Sequence, residues 1–199
     1  MTTTHLLYLH GFRSSPRSAK AQQMATFVRA QHPDVHWWCP QLPPSPADAA
    51  KLIAQGTAGW PSARTAVVGS SLGGFYATWF AQQTGCKAVL VNPAVNPARD
   101  LERYIGELTS WHDPDQAFYF RPEYIAELRA LECPNLLHPA RLARFMVLVA
   151  KGDEVLDWRE MAGRYAHAHL KLLEGGDHAL SDFALYLDEI SAFLGLARS

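Results

Sequence analysis

Thr65-Ala-Val-Val-Gly-Ser-Ser-Leu-Gly-Gly74 decides how the rest of the chain is read. Thr65–Val68 is a short, continuous, β-branched apolar run, the pattern of a strand buried on both faces. Gly69-Ser70-Ser71-Leu72-Gly73 follows at once, and from Gly73 to Thr84 the residues have helical character, stopped by Gly85. A nucleophile on a sharp strand-to-helix turn stands above its sheet, and the positions two before and two after it must be nearly free of side chain. Gly69 and Gly73 hold those positions around Ser71. The Gly-x-Ser-x-Gly pattern alone is weak evidence; its placement between a buried strand and a helix gives it force. Ser70 competes, but it occupies the x position, so Ser71 is the candidate nucleophile.

Outward from this turn, strand and helix signals alternate. Strand candidates are Leu6–Leu9, Val35–Cys39, Thr65–Val68, Ala88–Val91, Phe145–Ala150 and Leu170–Leu173. Between them Met24, Phe27 and Val28 form a helical stripe inside Ser18–Gln31. Ser45-Pro46 reads as an N-cap with proline at N1, opening a helix through Gln55. Asp157 is placed to cap Trp158–Ala168, and Ser181 to cap a last helix carrying Phe183, Leu187, Ile190 and Leu194. Such alternation predicts an α/β fold, a mainly parallel sheet of about six strands with helices on both faces. In such sheets the site lies at the carboxyl ends of the strands.

Residues 93–144 break the rhythm. No good strand is legible there, only two helical patterns, Ala98–Gly106 and Pro122–Leu131, among Trp111, Phe118, Tyr119, Phe120 and Tyr124. The stretch reads as a helical insertion, with its aromatics either a small core or part of a lid over the site. Residues 1–199 otherwise read as one domain.

A serine hydroxyl needs a base to take its proton, and the base needs an acid to orient it. Two further loops supply them in the chain order Ser, Asp, His. Phe145–Ala150 leads into Lys151-Gly-Asp-Glu-Val155, and Leu170–Leu173 into Glu174-Gly-Gly-Asp-His178. His178 is the base candidate. Asp153 is preferred as the acid over Glu154, which is aimed elsewhere, and over Asp157, a helix cap. Two backbone N–H groups are needed for the developing oxyanion. The residue after the nucleophile, Leu72, supplies one; Phe12, in His10-Gly11-Phe12 after the first strand, supplies the other. Among other histidines, His167 and His169 form a pair without a third ligand placed beside them, so no metal site is read there.

Composition excludes rival classes. A net charge of -1 with scattered Lys and Arg gives no stripe for nucleic acid or an anionic membrane surface. The 48% apolar and 19% charged residues are ordinary for a soluble globular chain. Cys39, Cys86 and Cys133 stand far apart in no ligand spacing, consistent with a reducing compartment. Leu6–Leu9 is too short for a signal-peptide core, and no stretch approaches the length of a spanning helix. A cytoplasmic location is expected; oligomeric state is not legible.

Tyr8-Leu-His-Gly-Phe12, Ser14-Ser-Pro-Arg-Ser-Ala-Lys20, Pro40-Gln-Leu-Pro43, Gly69–Gly74, Val91-Asn-Pro-Ala94, Gly152-Asp-Glu-Val-Leu-Asp157 and Gly175-Gly-Asp-His178 together resemble the small bacterial YqiA-type esterases. That resemblance implies a minimal α/β-hydrolase fold and hydrolysis of short-acyl esters, or of acyl thioesters, through Ser71, Asp153 and His178. It implies a small-molecule ester or thioester as partner and no metal or organic cofactor. Phe75 departs from the tyrosine expected there. The rival readings are an acyl-coenzyme A thioesterase on the same residues and a hydrolase-fold binding protein without turnover.

Overall fold

The computed structural model describes residues 2–110, 117–134 and 139–197. Its elements run β1 (His5–Leu9), α1 (Ala19–Gln31), β2 (His36–Trp38), α2 (Pro46–Gly56), β3 (Thr65–Ser70), α3 (Leu72–Thr84) and β4 (Lys87–Val91). Then follow α4 (Pro97–Leu101), β5 (Gly106–Thr109), β6 (Ala117–Phe120), α5 (Glu123–Ala130), α6 (Pro139–Leu142), β7 (Phe145–Ala150), α7 (Trp158–Arg164), β8 (His169–Leu173) and α8 (Leu187–Leu194).

Six strands pair in the order β2-β1-β3-β4-β7-β8, each pair parallel. The chain runs from β1 outward to β2, returns past β1 to β3, and then proceeds the other way. The strand order therefore reverses between β1 and β3, and the loops leaving these two neighbours carry Phe12 and Ser71. Ligand crevices in open α/β sheets form at such a switch point.

The apolar runs are continuous because both sheet faces are covered. Leu7, Leu9 and Val67 pack with α2 and α3, whereas Leu6, Tyr8, Ala66 and Val68 pack with α1 and α8. Successive side chains of one strand thus enter different cores, as the two-residue period requires.

Most helix signals act as read. Ser45 accepts from the Asp48 N–H with Pro46 at N1, Asp157 accepts from the Arg159 N–H, and Gly85 ends α3 with a left-handed φ of 77°. Ser181 does not cap the last helix. Its N–H and hydroxyl both donate to the Asp177 carboxylate, and the chain enters α8 through a 3₁₀ turn at Phe183–Tyr186. The helix expected at Trp158–Ala168 ends at Arg164.

The insertion is not helical throughout. β5 and β6 form an antiparallel pair, Gly106 opposite Phe120 and Thr109 opposite Ala117, where no strand was expected. The strands are short and half-exposed, so no long apolar run marks them. The expected helix Ala98–Gly106 is one short helix, then a 3₁₀ turn at Glu102–Tyr104, with Gly106 already in the hairpin.

Two polar ties fasten the insertion to the sheet's helices. Glu127 of α5 accepts from the Ser45 hydroxyl at 2.7 Å and the Ala47 N–H at 3.0 Å, so a carboxylate sits on the N-terminus of α2. Arg99 of α4 grips Glu160 of α7 through two 2.7 Å bonds. Its aromatics form a cluster in which Phe120 is buried and stacks edge-on with Tyr124. Tyr119 faces outward, and Trp111 lies outside the described residues.

Candidate active site

The turn after β3 brings Ser71 to a φ of 56° and ψ of −123°, a conformation rare for any residue with a side chain. Three backbone hydrogen bonds hold it: its N–H donates to the Val91 carbonyl at 3.0 Å, and its carbonyl accepts from the Gly74 N–H at 2.9 Å and the Ala94 N–H at 3.0 Å. The flanking glycines are a steric necessity. A Cβ on Gly69 would lie 2.2 Å from the Gly73 oxygen, and one on Gly73 would lie 1.9 Å from the Leu9 oxygen.

His178 Nε2 lies 3.0 Å from Ser71 Oγ, and His178 Nδ1 lies 2.7 Å from Asp153 Oδ2. A carboxylate only accepts, so the imidazole proton belongs on Nδ1, leaving Nε2 to accept from the serine. Asp153 has a fully buried side chain, and its other oxygen accepts from the Val155 and Leu156 N–H groups, each at 2.8 Å. Ser70, the competitor, ends β3 and lines the same cavity, but the imidazole meets Ser71. Asp157 is occupied at the start of α7.

Leu72 begins α3, so its N–H is among the first-turn donors that lack an intrahelical acceptor. Across from it, Gly11 lies so close to Ser71 that a Cβ there would be 3.2 Å from Ser71 Cβ. The ring of Phe12 is seated among Tyr104, Phe118 and Phe120, at centroid distances of 5.7, 6.4 and 5.2 Å. The insertion's aromatic cluster therefore fixes the loop that carries the Phe12 amide.

Several further residues hold this site through contacts that the sequence does not record. His10 is buried; its Nε2 accepts from the Leu42 N–H at 3.1 Å, which leaves the proton on Nδ1, 3.0 Å from the Gly11 carbonyl. It thus pins the Gly11-Phe12 turn to the Leu42 segment. Asn92, fully buried with a φ of 42°, accepts from the Ala150 N–H and donates to the carbonyls of Asp177 and His178. Glu154 accepts from the His178 N–H at 2.9 Å. Lys20 of α1 donates to the Ala179 carbonyl. All four lie inside motifs quoted above, yet only contacts across the fold reveal what they hold.

A cavity of about 510 Å³ opens over Ser71 and His178. A second, of about 350 Å³, shares Gly11, Phe12 and Leu72 with it and is otherwise lined by residues such as Leu42, Pro43, Tyr76 and Phe118. Burial pushes the Lys20 ammonium down to about 8, against the opposing pull of Asp177 and Asp153. Asp177 is held below the usual carboxylate range by its two bonds from Ser181. Burial raises the Cys39 thiol to about 12 and the Cys86 thiol to about 11, so neither is a ready thiolate. His169, of the histidine pair, meets the Ala143 carbonyl through Nε2. Among the described residues no helix is long and apolar enough to cross a membrane.

Solved structures share the fold at low sequence identity. Mouse alpha/beta hydrolase domain-containing protein 10 matches with a TM-score of 0.70 at 16% identity, over 97% of this chain and 90% of its own. A structure from a study of LipS and LipT, two metagenome-derived lipolytic enzymes, matches with a TM-score of 0.70 at 19% identity, over 98% and 94%. Est1E from Butyrivibrio proteoclasticus, solved with ferulic acid bound, matches with a TM-score of 0.69 at 11% identity, over 97% and 88%. The fold is that of the α/β-hydrolases. At family level the match is to the sequence itself: residues 5–195 fit the model of the uncharacterised protein family UPF0227, the YqiA-type family, and the chain belongs to that family.

Proposed function

We propose that this chain is a serine hydrolase that cleaves carboxylic esters of small molecules by way of an acyl-enzyme. The reading rests on one observation above all: Ser71 Oγ, the His178 imidazole and the Asp153 carboxylate stand in a continuous chain of contacts of 3.0 and 2.7 Å at the mouth of a cavity. Ser71 Oγ attacks the ester carbonyl while its proton passes to His178 Nε2. The N–H groups of Phe12 and Leu72 receive the negative charge that builds on the carbonyl oxygen. The carbon–oxygen bond to the alcohol then breaks, and His178 returns the proton to the departing oxygen. Water, deprotonated by the same imidazole, attacks the acyl-serine; the carboxylic acid leaves and Ser71 regains its proton. Asp153 holds the imidazole in the productive tautomer throughout.

Labelling with a fluorophosphonate, together with hydrolysis of a short-acyl phenyl ester, tests the reading. Wild-type protein should be labelled on Ser71 and should turn over the ester. Ser71→Ala should lose labelling and about 10⁴ or more in kcat, because the three residues act as a unit. Ser70→Ala should retain most of both. A Ser71→Ala protein that is still labelled and active would overturn the assignment.

A further inference from the structure

The larger cavity holds charged and polar groups that the hydrolytic steps do not use. Lys20 reaches it from α1 and donates to the carbonyl of Ala179, the residue after the base. It makes no ion pair among the described residues. The two carboxylates near enough to influence it are committed elsewhere. Asp177 accepts from the N–H and hydroxyl of Ser181, and Asp153 accepts from Val155, Leu156 and His178. An ammonium uses three donors, and a single carbonyl satisfies one.

Tyr8 lines the same cavity, fully buried, and its hydroxyl has no hydrogen-bond partner among the described residues. A buried phenol without an acceptor is costly, and such an orphan in a native fold calls for an explanation. Arg103, from the insertion, and Arg13, which donates to Thr109, also line this cavity, while the carboxylate among its described lining residues, Asp100, is paired with Arg99. The smaller cavity contains neither Lys20 nor Arg103; the arginine that lines it, Arg13, donates to the carbonyl and hydroxyl of Thr109.

Position assigns this wall to one half of the substrate. The base must protonate the departing oxygen, so the leaving group lies on the His178 side. His178 and Ala179 line the larger cavity only. We infer that Lys20 and Tyr8 form an anion subsite for the leaving group, so that the preferred substrates are esters of alcohols that carry a carboxylate or a phosphate. This deepens the esterase reading and rests on it. The ammonium supplies charge and two unused donors, the phenol a third, and the acyl part remains uncharged.

The test uses purified full-length protein and phenyl butyrates that differ only at the para position: carbamoyl (neutral), carboxylate, or phosphonomethyl. At least one anionic ester should exceed the neutral one in kcat/KM by about tenfold, the contribution expected of a charge-assisted hydrogen bond. Whichever anion gains more identifies the carboxylate or phosphate source. Lys20→Gln and Tyr8→Phe should each lower the ratio of anionic to neutral kcat/KM, and Lys20→Arg should restore part of it. If Lys20→Gln does not fold, the Tyr8→Phe ratio and the wild-type preference still decide. Equal rates on neutral and anionic esters would overturn the subsite and leave the esterase reading standing. So would a preference for an anionic acyl group, tested with a hemisuccinate of the neutral phenol. No turnover of any ester and no fluorophosphonate labelling would overturn the esterase reading and this inference with it.

Discussion

The side-chain amide of Asn92 holds the backbone of His178. Its Nδ2 donates to the His178 carbonyl at 3.1 Å and to the Asp177 carbonyl at 3.0 Å, while its Oδ1 accepts from Ala150 at 2.8 Å. One side chain at the end of β4 thereby locks the loop after β8 to the end of β7. Glu154 takes the His178 N–H from the other side. The loop has no regular structure of its own, so side chains from separate segments set where the imidazole stands.

Asn92→Asp should therefore act on rate more than on affinity. The substitution keeps the volume and the acceptor for Ala150 but replaces the donor toward both loop carbonyls with an oxygen. A displaced imidazole of this kind should cost about 10² in kcat with KM little changed. Measuring kcat and KM separately, with the thermal midpoint alongside, checks it. A lowered midpoint with wild-type kcat would mean that Asn92 serves only stability.

Asp153 and Asp157 should separate by what their loss does. Asp153→Asn leaves the loop's shape but no longer fixes the tautomer of His178, and kcat should fall by up to about 10⁴. Asp157→Ala removes the cap of α7 and should cost about 1 kcal/mol of stability with kcat nearly unchanged. Kinetics and urea midpoints for both variants decide; a large kcat loss confined to Asp157→Ala would reverse the roles.

Gly73 and Gly85 bracket α3 but answer to different constraints. A methyl group at Gly73 would collide with backbone, 1.9 Å from the Leu9 oxygen and 2.6 Å from the His10 oxygen. Neither atom can yield without moving β1, so Gly73→Ala should abolish soluble folded protein or cost roughly 3 kcal/mol or more. At Gly85 the nearest atom is the Arg144 guanidinium nitrogen at 4.0 Å, and only its φ of 77° resists a side chain. Gly85→Ala should cost about 1–2 kcal/mol. Expression yield and chemical denaturation distinguish the two; equal tolerance would contradict the close approach of the turn to β1.

Lys20 should leave a mark on stability at alkaline pH. Burial lowers its pKa from 10.5 to about 8. Between those values the unfolded chain carries a proton on Lys20 that the folded chain has lost, so this residue makes stability rise with pH across that window. Below about pH 8 both states are protonated, and the cost of burying the charge is present in full. Relative to Lys20→Met, wild-type protein should gain in urea midpoint from pH 8 to about 10.5. A constant difference across that range would show that the ammonium is not desolvated.

The sequence by itself determined whatever depends on local sterics and period. Thr65–Val68 had to be a buried strand, and glycine had to occupy positions 69 and 73 if the chain was to turn directly into α3. The polar residues past the ends of β7 and β8 were legible because a parallel sheet brings successive strand ends to one edge. Six strand candidates and the six strands of the sheet agree for that reason, with boundaries shifted by a residue or two. Other features depended on contacts between distant segments. Asn92 lies 86 positions from His178 and Lys20 lies 159 from Ala179, and no spacing rule records such pairings. The β5–β6 hairpin is short and half-exposed, so its stability comes from the aromatic cluster it joins around Phe12 rather than from a periodic pattern. Ser181 sits before an apolar stripe as a cap would, yet its hydroxyl goes to Asp177, because the loop that bears His178 folds back over it. Local sterics placed Ser71 on its turn; packing over the whole chain decided what holds His178 and which charged groups share its cavity.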